Sequence, residues 1–223
     1  MPRFIDGVIK FQNEVYPDKK ELFERLAKGQ EPEAVFIACS DARVETAMIT
    51  QTDPGELFIL RNAGNIVPPH TSQTGAMTAT IEFAMRVLGT PHIVVCGHSE
   101  CGAMKGAMNP DSVKHLPHVK EWIGFAQAAV DVVNELATDE TSDDEKMRML
   151  LEQNVMLQLQ HLKTHPSVLR RLAAGQLTLH GWVYDIKTGE VSAYDEETDT
   201  FSPVDDHYAA LARELAKKNS CCD

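Results

Sequence analysis

Short apolar runs alternate along the chain with longer amphipathic stretches. Ala34-Val35-Phe36-Ile37-Ala38, Leu57-Phe58-Ile59-Leu60, His92-Ile93-Val94-Val95-Cys96-Gly97 and Leu177 to Tyr184 read as four strands. Runs of this kind, rich in β-branched residues and closed by small or polar ones, suit strands covered on both faces. Lys187-Thr188-Gly189-Glu190 is a hairpin turn into a fifth strand, Val191 to Tyr194, which should lie antiparallel at an edge. Helical spacing of apolar positions marks Phe4 to Phe11, and again Asp18 to Lys28, where Gly29 stops it. Further helices are expected from Val44 to Ile49, from Ala76 to Leu88, from Cys101 to Met108, from Val119 to Ala137 and from Glu145 to Lys163. A short one starts at Pro166 and stops at Gly175. Thr138 to Asp144 is an acidic connector that reads as a solvated linker.

Strands alternating with helices define the expected fold class. It is α/β, with a Rossmann-like, mostly parallel four-stranded sheet, an antiparallel edge strand, flanking helices and N-terminal helical arms. Residues 1–204 are expected to form a single zinc-binding α/β domain, with 1–30 as the arms. Residues 205–223 form a C-terminal helical tail, suggested by the spacing of Tyr208, Leu211 and Leu215. Cys221 and Cys222 in that tail read as incidental.

Composition narrows the function. The chain has 223 residues, 43% of them hydrophobic, enough for a substantial core. A formal net charge of -12 argues against nucleic acid as a partner held by a general basic surface. No apolar run is long enough for a membrane span, and the first residues lack a secretory apolar region. Five cysteines do not suit a disulfide framework. Cys39, Cys96 and Cys101 lie at or beside strand ends, which points to metal binding and burial in a reducing cytoplasm.

The candidate chemistry sits at two turns. In open parallel sheets, sites gather past the carboxyl ends of the strands. Cys39 follows the first strand, and His98 and Cys101 follow the third. Two thiolates and an imidazole suit zinc, and three protein ligands leave a fourth position open. Asp41 and Arg43 share the Cys39 turn, where a guanidinium can hold a carboxylate through two parallel hydrogen bonds.

The combination Cys-x-Asp-x-Arg with His-x-x-Cys resembles the β-class carbonic anhydrase family, and the likeness extends over about residues 1 to 200. It takes in Gly29-Gln30, Pro54-Gly55-Glu56, Phe58 to Asn65, Gly97 to Met104 and His180-Gly181-Trp182-Val183-Tyr184-Asp185. Gln30 makes it most similar to the plant and cyanobacterial type. The resemblance implies reversible hydration of carbon dioxide to bicarbonate and a proton, by zinc-bound hydroxide that Asp41 orients while Arg43 keeps that carboxylate off the metal. One zinc per subunit is implied, on Cys39, His98 and Cys101. Gln30, Phe58 and Ala63 match substrate-side positions. Phe83 stands where plant relatives often have tyrosine, which puts a proton-relay role there in doubt. The resemblance further implies a homodimer, or a tetramer built as a dimer of dimers, with N-terminal helices reaching across a partner subunit. On the residues alone, these helices would simply pack on their own sheet.

Other readings stay open on the sequence. The same ligands could serve hydrolysis of carbon disulfide or carbonyl sulfide. A structural zinc site or an inactive assembly subunit is a third reading, although such a site needs neither Asp41, Arg43 nor Gln30. Cytoplasmic residence is the expectation, with carboxysome association left open.

Overall fold

The structure is a computed structural model, and it describes residues 2–72 and 74–209. A six-stranded sheet runs in the order β2-β1-β3-β4-β5-β6. Its strands are β1 (Ala34–Cys39), β2 (Leu57–Asn62), β3 (His92–His98), β4 (Thr178–Tyr184), β5 (Val191–Asp195) and β6 (Thr200–Pro203). The first four are mutually parallel. β5 pairs antiparallel with β4, and β6 antiparallel with β5. The parallel core with an antiparallel border is as the sequence pattern implied. The border has one strand more than expected, because Thr200-Phe201-Ser202-Pro203 is short and ends on proline.

The two faces of the sheet are unequal. Alternation along β1 sends Val35 and Ile37 to one face and Phe36 and Ala38 to the other. On the first face, Val35, Ile37, Ile93 and Val95 pack against Ile81, Met85, Val155, Leu159, Leu162 and Val168. These come from the Ala76–Phe83 helix and its π-turn extension, the Asp143–Lys163 helix and the Pro166–Ala173 helix. The second face holds a smaller cluster, in which Phe36, Ala38, Val94 and Cys96 meet Val44, Ile49, Trp182 and Tyr184.

The Asp143–Lys163 helix is fixed at its start by a capping box, in which Ser142 and Glu145 satisfy each other's backbone amides. The end of the acidic connector therefore caps a helix instead of only linking two. The helix lies close over β4, since a Cβ at Gly181 would come within 2.8 Å of Val155 and 2.9 Å of Leu159. The expected long helix from Val119 to Ala137 is broken. It runs as Pro117–Ile123, a 3-10 turn over Gly124–Ala126, and Gln127–Leu136. Glycine at the break has poor helix propensity, and the apolar spacing continues across it.

Arg3–Lys10 and Lys20–Leu26 are helical, joined through a π-turn and one short helical turn, and none of these elements buries a residue. Phe4 is 74% exposed, and Val8, Ile9 and Phe11 are also exposed. The first of these helices therefore does not bury its apolar side on its own chain, whereas Leu22, Phe23 and Leu26 of the second are half-buried. The expected tail begins as a helical turn, Val204–His207, and the rest of it, with Cys221 and Cys222, lies outside the described residues. Among the described residues, no helix is long and apolar enough to cross a membrane.

Candidate metal centre

The parallel pairing of β1 with β3 sets Ala38 opposite Cys96. Cys39 and His98 thus arrive together at the carboxyl ends of adjacent strands. Cys101 is the residue before the Gly102–Met108 helix, and the chain reaches it through Glu100 in a left-handed conformation (φ 60°). The ligand atoms of Cys39, His98 and Cys101 all lie within 4.8 Å of one another, and all three residues are buried.

This donor set fits a single ion. The two sulfurs are 4.0 Å apart. Two thiolates on tetrahedral zinc, each at about 2.3 Å, would be about 3.8 Å apart. His98 donates from Nδ1 to the Ser99 carbonyl at 2.8 Å, so Nε2 is the bare nitrogen. That Nε2 is buried and has no hydrogen-bond partner. A buried lone pair without a donor is costly, and a metal ion would satisfy it.

The cysteines share a proton unequally. The Cys101 thiol donates to Cys39 and lowers the Cys39 thiol below its ordinary value, against the opposing effect of burial. His98 and the Gly64 and Asp41 backbone add to the lowering. Cys101 is pushed up, first by its bond to Cys39 and then by burial. Cys96 lies on the other face of the sheet and is no part of the cluster. Burial alone pushes its thiol up to about 12, as expected of an inert core cysteine.

Asp41 and Arg43 form the bidentate pair that the spacing suggested. Arg43 Nε donates to Asp41 Oδ1 at 2.9 Å, and Nη2 donates to Oδ2 at 2.7 Å. The Arg43 backbone amide adds a third bond to Oδ1 at 3.0 Å. The Arg43 side chain, followed by its amide, holds the Asp41 carboxyl well below the usual carboxylate range. Arg43 Nη2 also donates to the Glu100 carbonyl at 3.1 Å, tying the first turn to the second.

Four contributors were not singled out in the sequence. Arg61, at the end of β2, donates to the carbonyls of Cys39 at 3.0 Å and Asp41 at 2.8 Å, and also to that of Val44. It clasps the whole turn that follows Cys39. Gly64 donates its amide to the Cys39 sulfur at 3.3 Å. Asn154 and Gln158, both buried in the Asp143–Lys163 helix, bond to each other. Asn154 also holds the Gly64 carbonyl, and Gln158 the Val67 amide. An arginine ending a largely apolar strand, and two amides inside an apolar helical stripe, were the available signals.

The substrate-side candidates fall into two groups. Ala63 adjoins Gly64 and so lies beside the metal cluster. Gln30, Phe58 and Phe83 do not. Gln30 lines a cleft of about 480 Å³ with Gly29, Pro54, Gly55 and Glu56. Phe58 stacks on Phe83, with ring centroids 6.1 Å apart. Gln30 precedes the start of β1, and Phe58 faces Val35 across the β1–β2 pairing, whereas the ligands follow the strand ends. A strand of this length spans about 17 Å, so in one chain Gln30 stands far from the ligands.

A profile of the carbonic anhydrase family matches residues 34–191. The carbonic anhydrase of Pseudomonas aeruginosa is 45% identical over 207 residues, covering 93% of this chain and 93% of that protein. The carbonic anhydrase of Synechococcus elongatus is 42% identical over 192 residues, or 86% of this chain and 70% of that protein. Among solved structures, the β-carbonic anhydrase CcaA superposes with a TM-score of 0.86 at 40% identity, over 90% of this chain and 98% of that one. A structure described among two tetrameric β-carbonic anhydrases from Sordaria macrospora gives a TM-score of 0.73 at 27% identity, over 85% of this chain and 93% of that one.

Proposed function

The chain belongs to the β-class carbonic anhydrases, lyases that hydrate carbon dioxide, and on that premise we propose that Cys39, His98 and Cys101 hold a catalytic zinc ion worked by Asp41 and Arg43. Zinc so bound would acidify a water molecule and present it for attack on carbon dioxide. The observation that carries this reading is the bare, buried Nε2 of His98 within reach of two sulfurs. The donors require reduced thiols, which agrees with a cytoplasmic setting; the three described cysteines are free.

Each residue then has a part. Arg43 occupies both oxygens of Asp41, which keeps the carboxylate anionic and turned away from the ligand cluster. An anionic Asp41 accepts a hydrogen bond from the attacking water and aims its remaining lone pair at carbon. Carbon dioxide has no net charge or dipole, so few polar groups are needed to hold it. The alanine side chain at position 63 supplies an apolar wall beside the ligands. Gln30 donates an amide hydrogen to a substrate oxygen, where charge grows during attack.

Within one chain Gln30 and Phe58 stand at the wrong end of the strands for this. We therefore propose a homodimer in which each site takes Gln30, Phe58 and Phe83 from the partner subunit, with pairing of dimers into a tetramer as a further step. The exposed apolar side of the Arg3–Lys10 helix supports it, since a helix with Phe4, Val8 and Ile9 left exposed on its own chain suits a partner's surface. Zinc content measured with carbon dioxide hydration tests the reading. Stoichiometric zinc and hydration lost together in Cys39→Ser are expected, and full activity in that variant would refute it.

A further inference from the structure

One peptide group lies between the metal ligand Cys39 and an indole. The Ala63–Gly64 peptide accepts from Trp122 Nε1 at its carbonyl, 2.8 Å away. The same peptide donates its N–H to the Cys39 sulfur at 3.3 Å. Carbonyl and amide are conjugated through the C–N bond. A donor on the oxygen draws charge from the nitrogen and makes its N–H a better donor, the cooperative effect known for chained hydrogen bonds.

The peptide has little freedom to turn away. Gly64 is in the left-handed region (φ 82°), and a Cβ there would lie 2.9 Å from Met104 and 3.0 Å from Ala103. The next carbonyl along, that of Gly64, is held by Asn154 at 3.2 Å, and Asn154 by Gln158 at 2.8 Å. Trp122 belongs to the Pro117–Ile123 helix and packs, partly buried, against two of the hydrophobic core clusters. Two separate helices thus fix the orientation of a single N–H toward a single sulfur.

We infer that Trp122 is a positioning residue of the metal centre, acting through the Ala63–Gly64 peptide to hold and strengthen the amide hydrogen bond on the Cys39 thiolate. The inference rests on Cys39 being a ligand. Two thiolates give an ion much negative charge and so blunt its power to polarise what it binds. A hydrogen bond to one sulfur withdraws part of that charge. Trp122 therefore sharpens the electrophilic character of a site that its own ligands would otherwise soften.

The test uses cobalt in place of zinc, which reports sulfur donation as a thiolate-to-cobalt charge-transfer band. The chain has two tryptophans. In a Trp182→Phe background, Trp122 is the one that remains, and biosynthetic replacement with benzothienylalanine keeps its shape while removing the N–H. Within that background the band should move to longer wavelength, and the Gly64 amide proton of the metal-free protein should move upfield. Metal content should be unchanged, while kcat/KM for hydration falls about two- to fivefold, the share a cooperative partner holds in one charge-assisted bond. Trp122→Phe should move both signals the same way. A band and an amide resonance that both stay in place would overturn the inference with the metal site intact. Absence of any thiolate-to-cobalt band in the reference protein would instead overturn the assignment of Cys39 and Cys101 as ligands.

Discussion

Arg43 bonds to the Glu100 carbonyl with the same nitrogen that bonds to Asp41, at 3.1 Å and 2.7 Å. One guanidinium therefore bridges the turn after β1 and the turn after β3. It restrains the carboxylate and also joins the two loops that carry the three candidate ligands.

Arg43→Ala should free Asp41 to coordinate the ion, because zinc takes carboxylate oxygens readily and one position is open. Hydration should fall by at least about a hundredfold, the range seen when a group that stabilises a transition state is lost. Zinc should stay bound. Asp41→Asn should lose comparable activity without adding an anionic ligand. Zinc-edge absorption distinguishes the two variants, and Arg43→Ala with wild-type coordination and rate would end the proposed gating role.

The ligands should be separable from their surroundings by metal analysis. His98→Ala and Cys101→Ser are expected to lower zinc content sharply and abolish hydration. Cys96→Ser, which alters a cysteine on the opposite face of the sheet, should keep its zinc. Elemental analysis of the purified variants decides, and retention of full zinc by either ligand variant excludes that residue.

Sites shared between subunits make two inactive chains able to rescue each other. Gln30→Ala keeps its ligands and Cys39→Ser keeps its glutamine, so a mixed dimer holds one intact site. Random mixing of the two should recover about a quarter of wild-type activity. Recovery no greater than the sum of the separate variants would show that each site is built within one chain.

His180 gives a pH dependence of stability that does not involve the Cys39, His98 and Cys101 cluster. Its Nε2 lies 3.1 Å from His92 Nδ1, and its Nδ1 lies 2.8 Å from the Tyr208 hydroxyl. Burial, aided by His92 and His207, lowers it from 6.5 to about 4. Between these values the unfolded chain takes up a proton that the folded chain does not. Stability should thus be full above about pH 6.5 and decline as pH falls toward 4, by on the order of 3 kcal/mol. His180→Gln should flatten that part of the curve. Denaturant melts across pH measure it, and an unchanged slope in the variant would exclude His180 as its source.

Much of this was legible in the sequence, and the reasons are local. β1 and β3 are buried on both faces, so their apolar runs stood out. The candidate ligands and the Asp41–Arg43 pair sit within a few residues of those runs, where spacing alone relates them. β6 was not legible, being four residues at an edge. The break at Gly124 was hidden because apolar spacing continues across it. Arg61, Trp122 and Asn154 escaped for a different reason. Each bonds to backbone carbonyls far along the chain, from Val44 at 17 positions to Gly64 at 90. No pattern of side-chain types reports where a carbonyl will point. The arms were visible as helices, yet spacing gave no sign that Phe4, Val8, Ile9 and Phe11 would stay exposed on their own chain.

The clasp of Arg61 on the Cys39, Asp41 and Val44 carbonyls shapes the first ligand turn with protein atoms alone. Small zinc modules whose fold depends on the ion unfold when a chelator takes it. This turn has its own scaffold, so stripping the ion should leave an intact vessel that can be refilled. Loss of a bound ion and loss of structure would then be separate events, and protein stripped of metal should regain activity on addition of zinc without a refolding step.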